Sequence, residues 1–311
     1  MHSNSDNQSL LRGAGLLICG FAIIPVMDAA AKDLIGQGYS PILIAFARFA
    51  LSAIILSPLL LRRGAAKQLV GAGALMQVIR AIMLAIATVL FFSALETMKM
   101  ADALAVYFIY PFLITLMAPL LLSEKVGLRR FVAVLIGFCG SLLIIRPGFQ
   151  EVPIGVYYVL VASVCFALFN VLTRRLTGMG DPWMTVFYQS LVGAIVLVVF
   201  VPGHWRMPDT GAMMLLGLMI VAAVIGHWLL IKAYAYAPAS LLTPFSYFEM
   251  VSAVVIGYLW FTDLPDGPTW AGIGIIVATG IYISMRERKK KQRQEMPTKA
   301  KHQAKTGRYF L

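Results

Sequence analysis

The apolar run at residues 101–130 returns about 139 residues later, at 238–270, and this duplication constrains the fold more than any other feature. In that register Tyr110 falls on Glu249. Roughly 20 apolar residues can cross a bilayer as a helix, so each copy is long enough to be a membrane span. Two copies of a membrane segment at this separation predict a duplicated membrane protein.

The whole chain divides into apolar runs joined by short loops that contain charged residues, Gly or Pro. The predicted spans, numbered 1 to 10, are 13–32, 41–61, 73–95, 101–122, 128–146, 154–173, 183–202, 211–231, 238–261 and 268–285. Five spans precede Pro147-Gly148 and five follow, and an odd number requires the second half to enter the membrane inverted.

The predicted fold is therefore an all-α integral membrane protein with ten transmembrane helices in two inverted five-helix repeats. Its predicted parts are an N-terminus at 1–12, a first repeat at 13–148, a second repeat at 149–285 and a basic tail at 286–311.

The basic residues of the loops support the inversion independently. Arg62, Arg63 and Lys67 follow span 2, whereas the corresponding loop after span 7 holds only Arg206. Cytoplasmic loops carry an excess of Lys and Arg, so a bias that moves to the alternate loops fits inverted halves. We predict a multi-pass protein of the cell inner membrane with both termini in the cytoplasm.

Composition agrees with a membrane protein. Hydrophobic residues make up 60% of the chain and charged residues only 13%, and a soluble domain carries about twice that charged fraction. The net charge of +12 does not predict a nucleic-acid partner, because the basic residues lie in loops and in the tail. The predicted partners are membrane lipids, with anionic lipid at the basic tail.

Nothing in the sequence predicts an enzyme, a metal site or a cofactor. The chain has no P-loop, no GxSxG and only four His, so no catalytic residue is proposed. Cys19, Cys139 and Cys165 lie in apolar runs without metal-ligand spacing, and we interpret all three as small buried hydrophobic residues.

Ionisable side chains inside the spans mark the candidate site, because each costs at least a few kcal/mol at membrane depth. Asp28 and Arg48 reach similar depths on adjacent antiparallel spans. A structural ion pair, a substrate or proton site and a lipid-headgroup contact all remain open for them. Arg80 lies near the cytoplasmic end of span 3, where snorkelling to the headgroups is the favoured interpretation.

Glu249 is expected near the middle of the membrane in span 9. No cationic residue lies one turn away on the same span, so Glu249 must find a partner across the bundle or stay protonated. We predict that it carries a proton or contacts the substrate.

Tyrosines at repeat-related positions and further polar or aromatic residues complete the candidate site. They are Tyr107, Tyr110, Tyr247, Asn170, His227 and Trp228. Pro111 and Pro244 free backbone carbonyl groups nearby, which is tolerated only where protein or water can satisfy them. Together these features predict a cavity for a small, partly flat organic solute.

The chain resembles the EamA-type members of the drug/metabolite transporter superfamily. The resemblance is carried by Ala47–Pro58, Ala94–Glu124, Ile136–Gly148 and Ala233–Asp263. It implies a central cavity lined chiefly by spans 3, 4, 8 and 9, with spans 1 and 6 contributing, and alternating access without ATP hydrolysis. Members of this superfamily move amino acids, S-adenosylmethionine, riboflavin, nucleotide sugars and drugs.

The expected function is secondary active transport of a small organic metabolite, such as riboflavin, S-adenosylmethionine or an amino acid. The central polar residues Asp28, Arg48 and Glu249 favour transport, because a purely structural bundle has no need of them. The alternative is a membrane sensor or assembly protein that moves no solute. Coupling to protons and a homodimer are left open.

Overall fold

The chain folds into apolar α-helices joined by short turns. The computed structural model describes residues 2–61, 73–122, 152–178, 181–237, 248–262 and 264–275, with isolated residues in 132–143, 242–246 and 277–282. Over these residues it contains helices and no strand, which confirms the all-α prediction for the part described.

Nine α-helices are bounded within the described residues. They are α1 (His2–Gly36), α2 (Pro41–Leu61), α3 (Ala74–Ala94), α4 (Met100–Tyr107), α5 (Tyr110–Leu122), α6 (Ile154–Arg175), α7 (Pro182–Val198), α8 (Thr210–Tyr236) and α9 (Phe248–Phe261). Residues 267–275 are also helical, and a 3-10 turn at Pro202–His204 follows α7.

Six helical stretches of the described chain are long and apolar enough to cross a membrane. They are α3, α6, α8, the Leu11–Gly36 part of α1, the Pro41–Pro58 part of α2, and α4 with α5 taken together as Met100–Leu122. These correspond to predicted spans 1–4, 6 and 8, while spans 7, 9 and 10 correspond to shorter apolar helices. Most of span 5 and the whole basic tail lie outside the described residues.

The first helix extends beyond the predicted span at both ends. It begins at His2 rather than near residue 13, because a helix satisfies its own backbone hydrogen bonds and can continue outside the membrane. It ends where Gly38 adopts a positive φ of 84° and Tyr39 N–H donates to the Leu34 carbonyl.

Many large apolar side chains face outward, and small residues lie among the large ones in the interior. Leu75, Leu120 and Leu259 are 74–84% exposed, whereas consecutive alanines such as Ala29–Ala31 are completely buried. This distribution suits lipid outside and close helix packing inside.

The cysteine interpretation is therefore partly wrong. Cys165 is buried, but Cys19 and Cys139 are exposed on the outer surface of the bundle. An apolar run in a membrane protein has a lipid-facing side as well as a buried side, and composition alone does not separate the two.

The helix pairs of the two halves correspond. Helix α1 packs along α8, as α6 packs along α3, and α2 packs against α7. A Cβ placed on Gly13 would lie 3.3 Å from the Ala233 carbonyl oxygen, and one on Gly155 would lie 3.0 Å from the Ala94 carbonyl oxygen. Both crossings therefore bring a glycine of one half against a backbone carbonyl of the other half.

The fourth predicted span is broken in its middle. Helix α4 ends at Tyr107 and α5 begins at Tyr110, because Pro111 has no N–H to donate to the Tyr107 carbonyl. That carbonyl instead lies 3.1 Å from the Ser163 hydroxyl of α6, which also lies 2.7 Å from the Val159 carbonyl. The single hydroxyl proton of Ser163 is thus within hydrogen-bond distance of the freed Tyr107 carbonyl, which it shares with the Val159 carbonyl of its own helix.

Candidate functional site

A central cavity lies where seven helices converge. Polar side chains on its wall come from α1, α2, α3, α4, α8 and α9: Asp28, Arg48, Thr88, Tyr107, His227 and Glu249. The apolar wall comes mainly from α1, α3 and α6: Ile24, Met27, Leu84, Ala87, Phe91, Phe92 and Phe166. Spans 1, 3, 4, 6, 8 and 9 contribute as the resemblance implied, and span 2 contributes Arg48 in addition.

Arg48 is buried on the cavity wall between two repeat-related side chains. Its Nη1 donates to Thr88 Oγ1 at 2.7 Å, and its Nη2 lies 3.2 Å from His227 Nε2. Thr88 and His227 are 139 residues apart, the same separation as Tyr110 and Glu249.

The hydrogen bonds fix the form of the His227 ring. Arg48 can only donate, so His227 Nε2 accepts, and Nδ1 carries the proton that it donates to the Ala223 carbonyl at 3.0 Å. The ring is therefore the neutral Nδ1–H tautomer. The orientation of the Thr88 hydroxyl is fixed as well, because the hydroxyl donates to the Leu84 carbonyl at 2.8 Å and accepts from Arg48.

Asp28 faces the same cavity from α1 and is only 4% exposed. Among the described residues, no side chain or backbone N–H donates to its carboxylate, and it forms no ion pair with Arg48. The arrangement therefore differs from the direct Asp28–Arg48 pair left open by the sequence. Arg48 is held by neutral groups, and both charges face the cavity.

Glu249 meets the residue that corresponds to it in the first repeat. The Tyr110 hydroxyl donates to Glu249 Oε2 at 3.0 Å, and both side chains are buried. Glu249 lies in the first turn of α9, which begins at Phe248. Before it, Leu242 is helical and residues 245–246 form a 3-10 turn. Tyr110 itself lies behind the cavity wall rather than on it.

Aromatic rings from three helices pack beside this pair. The Tyr107 ring centroid lies 4.9 Å from that of Phe91 and 5.3 Å from that of Phe166. The Tyr110 ring meets the edge of Phe166 at 4.9 Å. The rings of Phe91, Tyr107 and Phe166 make one side of the cavity aromatic and mainly apolar.

Arg80 does not snorkel to the headgroups, and that interpretation is wrong. Its side chain is completely buried and donates to Gln77 Oε1, to Thr173 Oγ1 and to the Thr185 carbonyl, at 3.0–3.2 Å. The guanidinium also lies 5.0 Å from the Phe169 ring centroid. Arg80 therefore links α3, α6 and α7 and lies away from the cavity wall.

Of three other candidate residues, Asn170 and Trp228 do not line the cavity, and the third is not described. Asn170 accepts a hydrogen bond from Tyr234 at 2.8 Å and donates to the Phe166 carbonyl at 2.7 Å. Trp228 stacks on Trp183 with centroids 4.9 Å apart, and its Nε1 is buried without a hydrogen-bond partner among the described residues. Tyr247 lies outside the described residues.

Sequence reasoning missed Thr88, Phe91 and Phe166, which line the cavity. The two phenylalanines carry no signal that separates them from other apolar residues of their spans. Thr88 does carry one, because it precedes His227 by 139 residues, which is the separation of the predicted repeat. Extending the register of the repeat to α3 would have identified it.

Comparison with known proteins identifies the family. Residues 11–146 and again residues 153–285 match the EamA-like transporter family. A protein of known crystal structure superposes with a TM-score of 0.69 at 17% identity, covering 91% of this chain and 98% of that chain, which shows a shared fold.

Relatives with assigned functions are transporters. The S-adenosylmethionine uptake transporter of Rickettsia conorii is 24% identical, over 88% of this chain and 95% of its own length. The riboflavin transporter of Vibrio cholerae is 28% identical, over 91% and 96%. The pseudopaline exporter CntI of Pseudomonas aeruginosa is 28% identical, over 78% and 85%. The resemblance seen in the sequence is thereby confirmed, and this integral membrane chain belongs to the EamA-like transporter family.

Proposed function

We propose that the protein is a secondary active transporter that moves a small organic metabolite across a bacterial inner membrane by alternating access. The observation that carries this proposal is the central cavity, where buried polar side chains from both halves of the chain converge. Relatives named for S-adenosylmethionine uptake, riboflavin transport and pseudopaline export support a small organic solute.

The polar cavity also argues against the alternative of a sensor or assembly protein. A charged side chain inside a membrane protein costs several kcal/mol, so the residues that remain there usually serve a function. Asp28 and Arg48 are both at least 96% buried, yet no direct salt bridge joins these two side chains. A site that receives a solute explains this arrangement, whereas a purely structural bundle does not require it.

We further propose that the two halves are inverted five-helix repeats, divided near residue 148, with ten spans and both termini in the cytoplasm. The hydrogen bond between Tyr110 and Glu249 supports this proposal, since a residue can touch its own repeat equivalent only near the axis that relates the repeats. The matching glycine contacts of Gly13 and Gly155 support it as well. The basic tail would then lie against anionic lipid.

Glu249 is the proposed coupling residue. It is a buried carboxyl group on the cavity wall, and the Tyr110 hydroxyl is its hydrogen-bond donor. No basic side chain donates to it among the described residues. A carboxyl group so placed can take up a proton on one side of the membrane and release it on the other.

Solute flux into proteoliposomes tests the transport function. Vesicles with the purified full-length protein should take up radiolabelled S-adenosylmethionine, riboflavin or an amino acid faster than protein-free vesicles. The uptake should saturate and should stop when unlabelled solute is in excess. If no solute of this panel enters faster than into protein-free vesicles, the sensor or assembly function becomes the better account.

A further inference from the structure

We infer that the cavity selects zwitterionic solutes, with Asp28 contacting the cationic group of the solute and Arg48 its anionic group. The solute would carry an aromatic or extended apolar body beside these two charges. This inference rests on the proposed transport function and narrows its substrate class, because it excludes solutes that are flat but uncharged.

The Asp28 carboxylate offers an unused acceptor. Its side chain is 4% exposed and lines the cavity, and no donor among the described residues bonds to it. Buried carboxylates elsewhere in proteins are paired or hydrogen-bonded, because isolation in a medium of low polarity is costly. A cationic or N–H-bearing group that enters the cavity would meet this requirement.

The Arg48 guanidinium offers unused donors on the same cavity. It has five N–H groups, and its contacts with Thr88 and His227 each use one of them. Both contacts are to neutral acceptors, so the positive charge has no directly bonded anion. A carboxylate or phosphate can accept two parallel hydrogen bonds from such a guanidinium.

Comparison of the repeats shows that four ionisable side chains of the cavity wall have neutral counterparts. In each of four repeat-related pairs, one member is an Asp, Glu, Arg or His, and the other is a neutral polar residue. The pairs are Asp28 and Asn170, Arg48 and Gln189, His227 and Thr88, and Glu249 and Tyr110. All four ionisable members line the cavity, while only Thr88 of their counterparts does so. The two repeats therefore contribute different residue types at equivalent positions, and the ionisable types face the cavity.

Because the cavity wall carries both a negative and a positive side chain, it disfavours solutes that carry a single charge. A solute with only an anionic group would leave the Asp28 carboxylate without a partner. A solute with only a cationic group would be repelled by the Arg48 guanidinium. The rings of Phe91, Tyr107 and Phe166 lie beside the charges and suit a planar or apolar body. A zwitterion with such a body complements all of these features.

Binding to the purified full-length protein tests this inference with two matched series of probes. One series compares S-adenosylhomocysteine with 5′-methylthioadenosine, which lacks both charges, and S-adenosylmethionine with its decarboxylated form, which lacks the carboxylate. The other compares L-phenylalanine with phenylethylamine and N-acetyl-L-phenylalanine. The twenty common amino acids, S-adenosylmethionine and riboflavin complete the panel, and calorimetry or thermal shift reports affinity.

We expect at least one zwitterion to bind, and to bind roughly tenfold or more tightly than its derivatives that lack either charge. The Asp28→Asn variant should weaken zwitterion binding but leave the N-acetyl derivative unaffected. The Arg48→Gln variant should weaken zwitterion binding but leave the amine unaffected. Asp33→Asn is the matched control, since Asp33 lies on the same helix and bonds to Gln37 and Trp260 at its exposed end.

The inference is overturned if riboflavin or 5′-methylthioadenosine binds as tightly as any zwitterion, or if no zwitterion of the panel binds. The comparison of probes on the unaltered protein decides this even if a variant fails to fold. Flux measured on the same preparation separates the two proposals. Transport of an uncharged solute refutes only the charge preference, whereas a zwitterion that binds but never crosses refutes the transport function.

Discussion

Arg48 and Arg80 are both buried arginines of the same bundle, yet they have different surroundings. Arg80 bonds to Gln77, Thr173 and Thr185 on three helices and lies away from the cavity. Arg48 bonds to two side chains and faces the cavity. We therefore assign Arg80 to the stability of the bundle and Arg48 to the solute site.

The first prediction concerns Glu249. The Glu249→Gln variant keeps the size of the side chain and its contact with Tyr110 but removes the proton that Glu249 can exchange. It should abolish proton-driven accumulation of the solute in proteoliposomes while solute exchange at equal concentrations continues. Accumulation is measured with an imposed pH gradient, and exchange is measured without one.

Tyr110→Phe is the matched control for Glu249→Gln, because it removes the hydrogen bond of 3.0 Å but leaves the carboxyl group able to titrate. It should retain proton-driven accumulation. If Glu249→Gln accumulates solute against a gradient with unchanged pH dependence, Glu249 is not the coupling residue, and Asp28 becomes the next candidate.

The residues of the site could be predicted in part. The register of the predicted repeat pairs Tyr110 with Glu249, and equivalent residues can meet where they lie near the axis that relates two repeats. The surroundings of Arg80 could not be predicted. Whether a long side chain snorkels or is buried depends on acceptors from other helices, and the sequence does not say that Thr173 and Thr185 lie beside it.

At the scale of helices, small residues determine how closely the repeats approach. A Cβ on Gly155 would lie 2.6 Å from Thr97 Oγ1 as well as 3.0 Å from the Ala94 carbonyl oxygen. A Cβ on Gly226 would lie 2.7 Å from Cγ1 of Ile24. Without a hydrophobic effect between helices in lipid, such close packing is the main attraction between them.

The second prediction follows from this packing. Gly155→Leu should lower the stability of the detergent-solubilised protein by about 1–3 kcal/mol, because α6 must move away from α3. A lower melting temperature would report the loss. Gly217→Leu on α8 is the matched control, since a Cβ there meets no atom within 4 Å. Equal melting temperatures for the two variants would contradict the packing argument.

The helices themselves were mostly predictable, but their breaks were not. Hydropathy is continuous through Phe108 and Ile109, so span 4 was predicted as one helix although α4 and α5 are separate. Pro111 predicts an unpaired backbone carbonyl one turn earlier, but it does not predict the residue at which the next helix begins. In the second half, α9 begins at Phe248, after a helical Leu242 and a 3-10 turn at residues 245–246.

At the scale of the whole molecule, the inverted arrangement predicts the side of each loop. Reporter fusions at Lys67, Lys125 and the C-terminus should report the cytoplasm, because basic loops stay on that side. Fusions near Arg206 and Asp266 should report the opposite side. A cytoplasmic reporter at Asp266 would contradict the inversion.

The central claim is that one cavity between the two halves opens to each side of the membrane in turn. Its most direct test places a cysteine at Ala87, which lines the cavity and is 1% exposed, in a variant without Cys19, Cys139 and Cys165. The adjacent Ile86→Cys is the control, since Ile86 faces outward and is 36% exposed.

A membrane-impermeant methanethiosulfonate reagent is then applied to intact cells and, separately, to inverted vesicles. We expect Ala87→Cys to be modified from both sides and Ile86→Cys, which faces lipid, from neither. A transported solute should slow the modification of Ala87→Cys. Modification of Ala87→Cys from one side alone, with and without solute, would contradict alternating access through this cavity.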